Sequence, residues 1–581
     1  MTAAVARPIR APQGGAKQRG QLLATQHMRL MVLMLLFAAA VLVVMLRLAQ
    51  LGITAAGGDR SPTAGHVARG DIVDRNGEAL ARTIDAWTIG VHPRRVLGDK
   101  LEIAQKLADL MPEVGDQAHF YSALTKDVNF TYLNRRASPA LVEAVNAIGD
   151  PGIVYAAEPQ RLYPQSMLAA HVLGYIGTVR KDPTVHGRSG MERVLDERLL
   201  DRATAGTPAQ LSIDTRVQAA MESELGRATA TFQARSAAGV VLDVHTGEVI
   251  AMASLPTFNP NRVGMSGLDQ LRNTTTQSVY ELGSTFKPLT MAAAIDSGLV
   301  TDMTKRFDAT VPLKVGGHTI HDDRGDEQRR WLNIPETLIY SSNISTARIA
   351  DELGAARMQG MFRKLGFDTK PDIELREKGR PLWPTYWART TVMTTAYGHG
   401  IAITPLQLAN SYATLVNGGI WRPATLLKVA PGKAPAGRRV FSEATSARMR
   451  QLLRLIVMYG TGRKGDAPGY RVGGKTGTAE AASAGGYDRS RNVATFVAAF
   501  PMEAPRYVVL AMLDSPQGTK ETYGFKTAAW NAAPVVGRVI ARTGAMLGVV
   551  PEDRRDIDIS DLAPALTMVI ADRGQAPGIP R

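Results

Sequence analysis

The pattern of apolar and polar positions changes character along the chain. Residues 30–46 form an unbroken run of seventeen apolar residues, close to the shortest helix that crosses a bilayer. Leu48, Ala49, Leu51 and Ile53 extend the run past Arg47, whose long stem can snorkel to the interface. No second segment of that kind follows. Instead, short β-type runs bounded by Gly, Pro and Asn alternate with helical stretches. Residues 239–242 and 248–254, joined through Asp243-Val244-His245-Thr246-Gly247, predict a hairpin. Residues 493–500 and 507–513 predict two more strands around a Pro-containing turn. Residues 289–295 predict an apolar helix ended by Gly298, and 346–353 a second closed at Gly354. From Pro551 onward, Asp, Arg, Gly and Pro predict an irregular tail with no function assigned.

Charge changes the picture at the N-terminus. Residues 1–58 hold six Lys or Arg and no Asp or Glu, five of them before the apolar run. The positive-inside rule then predicts about 28 cytoplasmic residues, a single retained anchor over 29–53 and an exterior remainder. A cleaved signal peptide is the competing reading, through Thr54-Ala55-Ala56, but cleavable apolar cores are shorter, about 7–15 residues.

The whole chain carries +15, and +9 remains beyond the anchor. A basic surface suits anionic lipid and a carboxylate-rich polymer, although charge spread this thinly also serves as a solvating coat. No dense basic cluster points to nucleic acid. The absence of cysteine excludes disulfides and thiolate catalysis. Ten histidines without ligand spacing and no phosphate-binding glycine loop imply no metal and no cofactor.

Three short fragments, in order, carry the chemistry: Ser284-Thr285-Phe286-Lys287, Ser341-Ser342-Asn343 and Lys475-Thr476-Gly477-Thr478. A helical i, i+3 spacing puts Lys287 beside Ser284, close enough to take its proton. Gly283 permits a tight turn before the serine, and a helix N-terminus there favours developing negative charge. As a base Lys287 must be neutral, which burial and a second ammonium, Lys475, both promote. Ser341 on a loop can shuttle a proton to a leaving amine, while Asn343 can hold Lys287 and a substrate amide. Lys475, Thr476 and Thr478 offer a cation and two hydroxyls to a carboxylate, with Gly477 leaving its backbone approachable. Alone, each fragment reads as an ordinary helix start, cap or strand. Their combination and order point to serine acyl transfer.

This triple signature resembles that of the class B penicillin-binding proteins, and most closely their FtsI-type cell-division branch. The resemblance spans roughly residues 30–545. Tyr397-Gly398-His399-Gly400 with Thr404-Pro405-Leu406-Gln407-Leu408-Ala409 is similar to the division enzymes rather than the elongation ones, and Gly460-Thr461-Gly462 matches the family's approach to the lysine strand. Arg69-Gly70-Asp71-Ile72-Val73-Asp74-Arg75-Asn76-Gly77 resembles the opening of the family's N-terminal module. Arg161-Leu162-Tyr163-Pro164, His171, Gly174, Gly177 and Gly190-Met191-Glu192 match further blocks. Ser166 departs from the pattern, which usually has glycine there. Arg69 and Glu192 are expected to be members of an ion-pair clamp.

The resemblance implies an α+β chain: a single N-terminal transmembrane helix, an elongated pedestal or dimerisation-type module, and a β-lactamase-like serine transpeptidase domain with a central antiparallel sheet flanked by helices. The expected divisions are a basic tail 1–28, anchor 29–53, pedestal 59–205, transpeptidase domain 206–545 and C-terminal tail 546–581. It further implies cross-linking of peptidoglycan stem peptides, with release of D-alanine, and trapping by β-lactams. Ser284, Lys287, Ser341 and Lys475 are the expected catalytic residues, and Asn343, Thr476, Gly477 and Thr478 the expected substrate contacts. The backbone N–H groups of Ser284 and Thr478 are the expected oxyanion hole. Implied partners are the membrane, an FtsW-type septal glycosyltransferase and other divisome membrane proteins, at the septal inner membrane with the catalytic domain periplasmic. Alternatives are an elongation-type transpeptidase, a D,D-carboxypeptidase or β-lactamase, and a penicillin-sensing or catalytically silent scaffold.

Overall fold

The computed structural model describes Met28 and residues 31–47, 69–179, 182–204, 206–323, 325, 327–483 and 486–574. Residues 31–47 are helical, and their side chains are exposed. Among the described residues no helix is long and apolar enough to cross a membrane. The expected anchor, 29–53, falls partly outside the described residues.

Two compact units divide the chain, Met1–His66 with Asp85–Pro159 and Val67–Ile84 with Gln160–Arg581. The smaller unit has its own core of Ile89, Val91, Leu107, Phe120, Leu133 and Ile153. Helices Lys100–Leu110, Gln117–Thr125 and Pro139–Asn146 supply much of it, and each starts at a capping side chain, Asp99, Asp116 and Ser138. The division into units does not follow the expected pedestal, 59–205: residues 67–84 and 160–204 fall in the larger unit. A buried charge cluster holds those two segments to each other: Glu192 accepts from Arg69 Nε at 2.6 Å, from Arg161 Nε at 2.7 Å and from the Tyr163 hydroxyl at 3.2 Å. Arg69 also bonds Asp196 at 2.7 Å. Such a carboxylate is tolerated in a core only with partners of this number, and the expected Arg69–Glu192 pair is part of it. The Asn76-Gly77 turn forms as expected, with Gly77 at φ +94° and Ile72–Val73 antiparallel to the strand from Ala79.

The larger unit is built on a five-stranded antiparallel sheet. Its strands are β1 (Ser236–Asp243), β2 (Val249–Leu255), β3 (Gly473–Ser483), β4 (Gly486–Phe500) and β5 (Tyr507–Asp514), in the spatial order β3-β4-β5-β1-β2. Strand alternation sends side chains to two faces. Ala237, Val241, Phe496, Val509 and Ala511 pack against helices α1 (Thr215–Thr231) and α7 (Ala532–Thr543). Val240, Leu242, Val497, Leu510 and Met512 share a second core with α2 (Lys287–Asp296), α3 (Ile334–Ile339), α4 (Asn343–Lys364), α5 (Pro405–Val416) and α6 (Glu443–Tyr459). Helix α4 breaks at Gly354, φ +78°, where the sequence predicts a helix end, and resumes beyond it.

The C-terminal segment departs from expectation. Residues Ser560–Leu566 form tight helical turns and Thr567–Gly574 a helix, α8, with Leu562, Ala565, Leu566 and Val569 buried in the second core. Burial of these four side chains explains why the segment is ordered where its polar and Pro-rich composition predicts an irregular tail.

Candidate active site

Ser284 sits in a 3₁₀ turn, Gly283–Phe286, that leads directly into α2 at Lys287. Gly283 adopts φ +55°, and a Cβ there would lie 3.0 Å from the Thr478 carbonyl. The turn is pinned from behind: the Tyr412 hydroxyl donates to the Thr285 carbonyl at 2.8 Å, and Phe286 packs on Phe362 and Phe367. The serine therefore occupies a rigid, close-packed corner.

Lys287 is fully buried. Its Nζ lies 2.8 Å from Ser284 Oγ and 3.0 Å from Ser341 Oγ, and it also donates to the Ser341 carbonyl. A neutral amine keeps the two Ser341 contacts as donor and turns its lone pair to the Ser284 hydroxyl, as a general base requires. Lys475, likewise fully buried, donates to Ser341 Oγ at 2.9 Å and to the Thr476 carbonyl at 3.0 Å. The two lysine nitrogens share one hydroxyl and lie within about 6 Å of each other. Two ammonium ions that close repel, so each lowers the pKa of the other and the arrangement promotes one neutral amine.

Ser341 has φ +57°, an unusual conformation for a residue with a side chain. Ser342 caps α4 through Ser345 N at 3.1 Å. The Asp322 carboxylate accepts from Ser342 Oγ, Asn343 N and Ile344 N at 3.0, 2.6 and 3.0 Å. Asn343 Nδ2 donates to the His321 carbonyl at 2.9 Å, and in this state its side chain serves that loop rather than Lys287.

The third fragment lies on edge strand β3. Gly477 faces the nucleophile turn: a Cβ there would sit 2.3 Å from the Leu282 carbonyl and 3.1 Å from Thr285 N. Its missing side chain makes room for that turn, in addition to any approach by substrate. Thr476 Oγ1 pairs with Thr461 Oγ1 at 2.6 Å, which gives Gly460-Thr461-Gly462 a concrete role, and Thr478 Oγ1 accepts from Ala528 N at 3.1 Å. The structure thus brings Ser284, Lys287, Ser341 and Lys475 into one connected cluster, with Thr476, Gly477 and Thr478 along its edge.

Sequence reasoning quoted the Gly398 loop only as a mark of the family and missed its contact with the nucleophile turn, together with Glu281 and an aromatic group beyond Thr478. Gly398 approaches Gly283 so closely that a Cβ would meet the Gly283 carbonyl at 2.2 Å, and Gly283 N donates to the Gly398 carbonyl at 3.3 Å. Glu281 ties this loop by accepting from Gly400 N at 3.1 Å and lies 3.5 Å from His399 Nδ1. Burial is the main cause that lowers the His399 pKa, against an opposing pull from Asp323, which favours a neutral imidazole. Beyond Thr478, Tyr523, Phe525 and Trp530 form an aromatic group with Lys464 over Trp530, and Tyr523 and Phe525 are exposed. Among the described residues no cluster of His, Cys, Asp and Glu could hold a metal.

Comparison with known proteins shows the family. The penicillin-binding protein transpeptidase domain model matches residues 237–537, and the penicillin-binding protein dimerisation domain model matches 65–208. The chain is 42% identical over 492 residues to the probable peptidoglycan D,D-transpeptidase FtsI of Caulobacter vibrioides, covering 83% of this chain and 82% of that one. It is 29% identical over 511 residues to the peptidoglycan D,D-transpeptidase FtsI of Escherichia coli, covering 83% and 84%. The crystal structure of penicillin-binding protein 3 from Mycobacterium tuberculosis complexed with aztreonam superposes with a TM-score of 0.65 at 27% identity, covering 84% of this chain and 98% of that one.

Proposed function

This chain belongs to the penicillin-binding protein transpeptidase family, and we propose that it is a septal peptidoglycan D,D-transpeptidase that cross-links stem peptides through a serine acyl-enzyme. The observation that carries the chemistry is the Ser284–Lys287–Ser341–Lys475 cluster, joined by contacts of 2.8 to 3.0 Å.

Lys287 Nζ takes the Ser284 proton as Oγ attacks the penultimate D-alanine carbonyl of the donor peptide. The N–H groups of Ser284 and Thr478 receive the developing oxyanion. Lys475, Thr476 and Thr478 hold the terminal carboxylate, a cation and two hydroxyls on one anion. Collapse breaks the peptide C–N bond. Ser341 gives its proton to the departing D-alanine nitrogen and is resupplied from the lysines. The acyl group stays on Ser284 Oγ until an amine of a neighbouring stem peptide attacks, loses its proton to the same base and takes the acyl group, freeing the serine. A β-lactam enters by the same first step: Ser284 Oγ attacks its carbonyl, the ring C–N bond opens with the nitrogen still tethered, and the serine is left acylated.

Residues 29–53 anchor the chain in the inner membrane with the catalytic unit in the periplasm, a reading that rests on the apolar run and the flanking positive charge. The resemblance to the cell-division branch supports work beside a glycan polymerase of the FtsW type and other divisome membrane proteins. The test is depletion. Filaments with segregated chromosomes and unfinished septa are the expected result, and rounded, swollen cells would move the enzyme to the elongation branch. Labelled penicillin should map to Ser284.

A further inference from the structure

The loop that carries Ser341 is gripped from behind by the C-terminal segment. Helix α3 (Ile334–Ile339) delivers that loop, and both of its ends are tied to residues beyond 560. At its start Asn333, the N-cap, donates from Nδ2 to the Ala565 carbonyl at 2.8 Å. At its end Tyr340, which directly precedes Ser341, donates its hydroxyl to Asp572 Oδ2 at 2.7 Å. Arg330 completes the junction. Its Nη2 lies 3.0 Å from Asp572 Oδ2 and 3.5 Å from Glu336 of α3, and its guanidinium sits 5.4 Å from the Tyr340 ring centre. Between these ties, Leu562, Ala565, Leu566 and Val569 share a buried cluster with Ile334, Leu338 and Ile339.

Ser341 needs such support. At φ +57° its backbone is held in a conformation that a residue with a Cβ leaves readily unless its neighbours fix it. Its hydroxyl serves two lysines at 2.9 and 3.0 Å, so a small rotation breaks both contacts. Burial and then the Asp572 partner push the Tyr340 hydroxyl up to about 12, and the Tyr340 hydrogen bond is the main influence lowering Asp572. The bond is therefore a neutral hydroxyl on a carboxylate throughout the physiological range.

We propose that Asp572 is a positioning residue for acyl transfer: through Tyr340 and Arg330 it holds Ser341 in the left-handed conformation that places its hydroxyl between Lys287 and Lys475. The proposal rests on Ser341 acting as the proton relay. It gives the C-terminal segment a function in chemistry, distinct from a general contribution to folding.

The experiment is stopped-flow acylation of the detergent-solubilised full chain by a fluorescent penicillin, resolving the initial dissociation constant from the acylation rate constant. Labelling stoichiometry counts competent molecules. Asp572→Asn and Tyr340→Phe should each lower the acylation rate constant about tenfold, the scale of a sub-ångström misplacement, with the dissociation constant unchanged. The double variant should be no slower than the slower single variant, because both break one link, and Asp572→Glu should recover part of the rate. A rate constant at the parent value in competent molecules would overturn the proposal, including where stoichiometry alone falls, since that is the signature of a merely structural contact. Multiplicative losses in the double variant would also overturn it. Ser341→Ala serves as the reference: if that variant acylates at the parent rate, the relay reading itself fails, independently of Asp572.

Discussion

Lys475 Nζ donates to Ser341 Oγ across 2.9 Å, between residues 134 positions apart in the chain. That contact joins edge strand β3 to the loop before α4, and it puts the second lysine on the relay rather than on Ser284. Lys475→Ala removes both the carboxylate partner and the charge that keeps Lys287 neutral. The second-order rate of acylation should fall at least about a hundredfold, the scale of one lost electrostatic stabiliser. Penicillin trapping at neutral pH, with circular dichroism as folding control, measures it, and a folded variant within threefold of the parent would place Lys475 outside the chemistry.

Ser284→Ala should abolish covalent labelling while leaving the unfolding midpoint close to the parent, because among the described residues the Ser284 hydroxyl has a single hydrogen bond, to Lys287 Nζ. Intact-mass measurement after penicillin treatment decides this. A penicilloyl adduct on the variant would assign the nucleophile elsewhere.

Gly398→Ala tests the loop against the nucleophile turn. The added methyl would collide with the Gly283 carbonyl at 2.2 Å, and φ +83° is itself unfavourable for alanine. Either the loop or the serine turn must move by more than an ångström, so acylation should slow by about a hundredfold. Gly264→Ala, where a Cβ meets nothing within 4 Å, is the control and should react at the parent rate.

Much of this site was legible because its parts are contiguous. Ser284 and Lys287 lie one turn apart, and the Lys475 strand announces itself through Gly473-Gly474 and the β-run that follows. What was illegible depends on contacts between distant segments. Asp322, which caps α4, and Glu281, which holds the Gly398 loop, look like ordinary surface carboxylates in the sequence. Gly477 was legible as a glycine with a purpose, but its close neighbour is the Leu282 carbonyl, which only the fold supplies. The C-terminal helix is a different case. Leu562, Ala565, Leu566 and Val569 follow the i, i+3, i+4, i+7 spacing of an amphipathic helix, yet the surrounding Asp, Arg and Pro residues mask so short a stripe.

His171 makes stability pH-dependent. It is buried with Nε2 2.7 Å from the Gln270 carbonyl, so Nε2 carries the proton of the neutral ring. Burial lowers its pKa from 6.5 to about 4, only partly offset by that hydrogen bond. Between those values the unfolded chain binds more protons than the folded one, so stability falls as the pH drops from 6.5 towards 4. The loss is on the order of 3 kcal/mol once both states are protonated. His171→Gln should remove this component, and urea titrations across that range should show a shallower acid limb. An identical limb in the variant would assign the acid sensitivity to other groups.

Ser166 stands where the family pattern has glycine, and the backbone shows why: it turns at φ +54° while its side chain is exposed. The left-handed conformation costs an L-residue roughly 1–2 kcal/mol. Replacing serine by glycine removes that strain but adds flexibility to the unfolded chain, which opposes folding by roughly 0.5–1 kcal/mol. Strain relief is the larger effect, and no side-chain contact is lost in exchange, because the turn is closed by the backbone bond from Ser166 N to the Tyr163 carbonyl. Ser166→Gly should therefore stabilise the larger unit by about 0.5–1 kcal/mol. Acylation by penicillin should be unchanged, since the catalytic cluster is built from other segments. A rise in the urea midpoint at constant m-value is the expected readout. A fall in the midpoint would mean that the serine hydroxyl stabilises this turn, and Ser166→Ala would then fall as well.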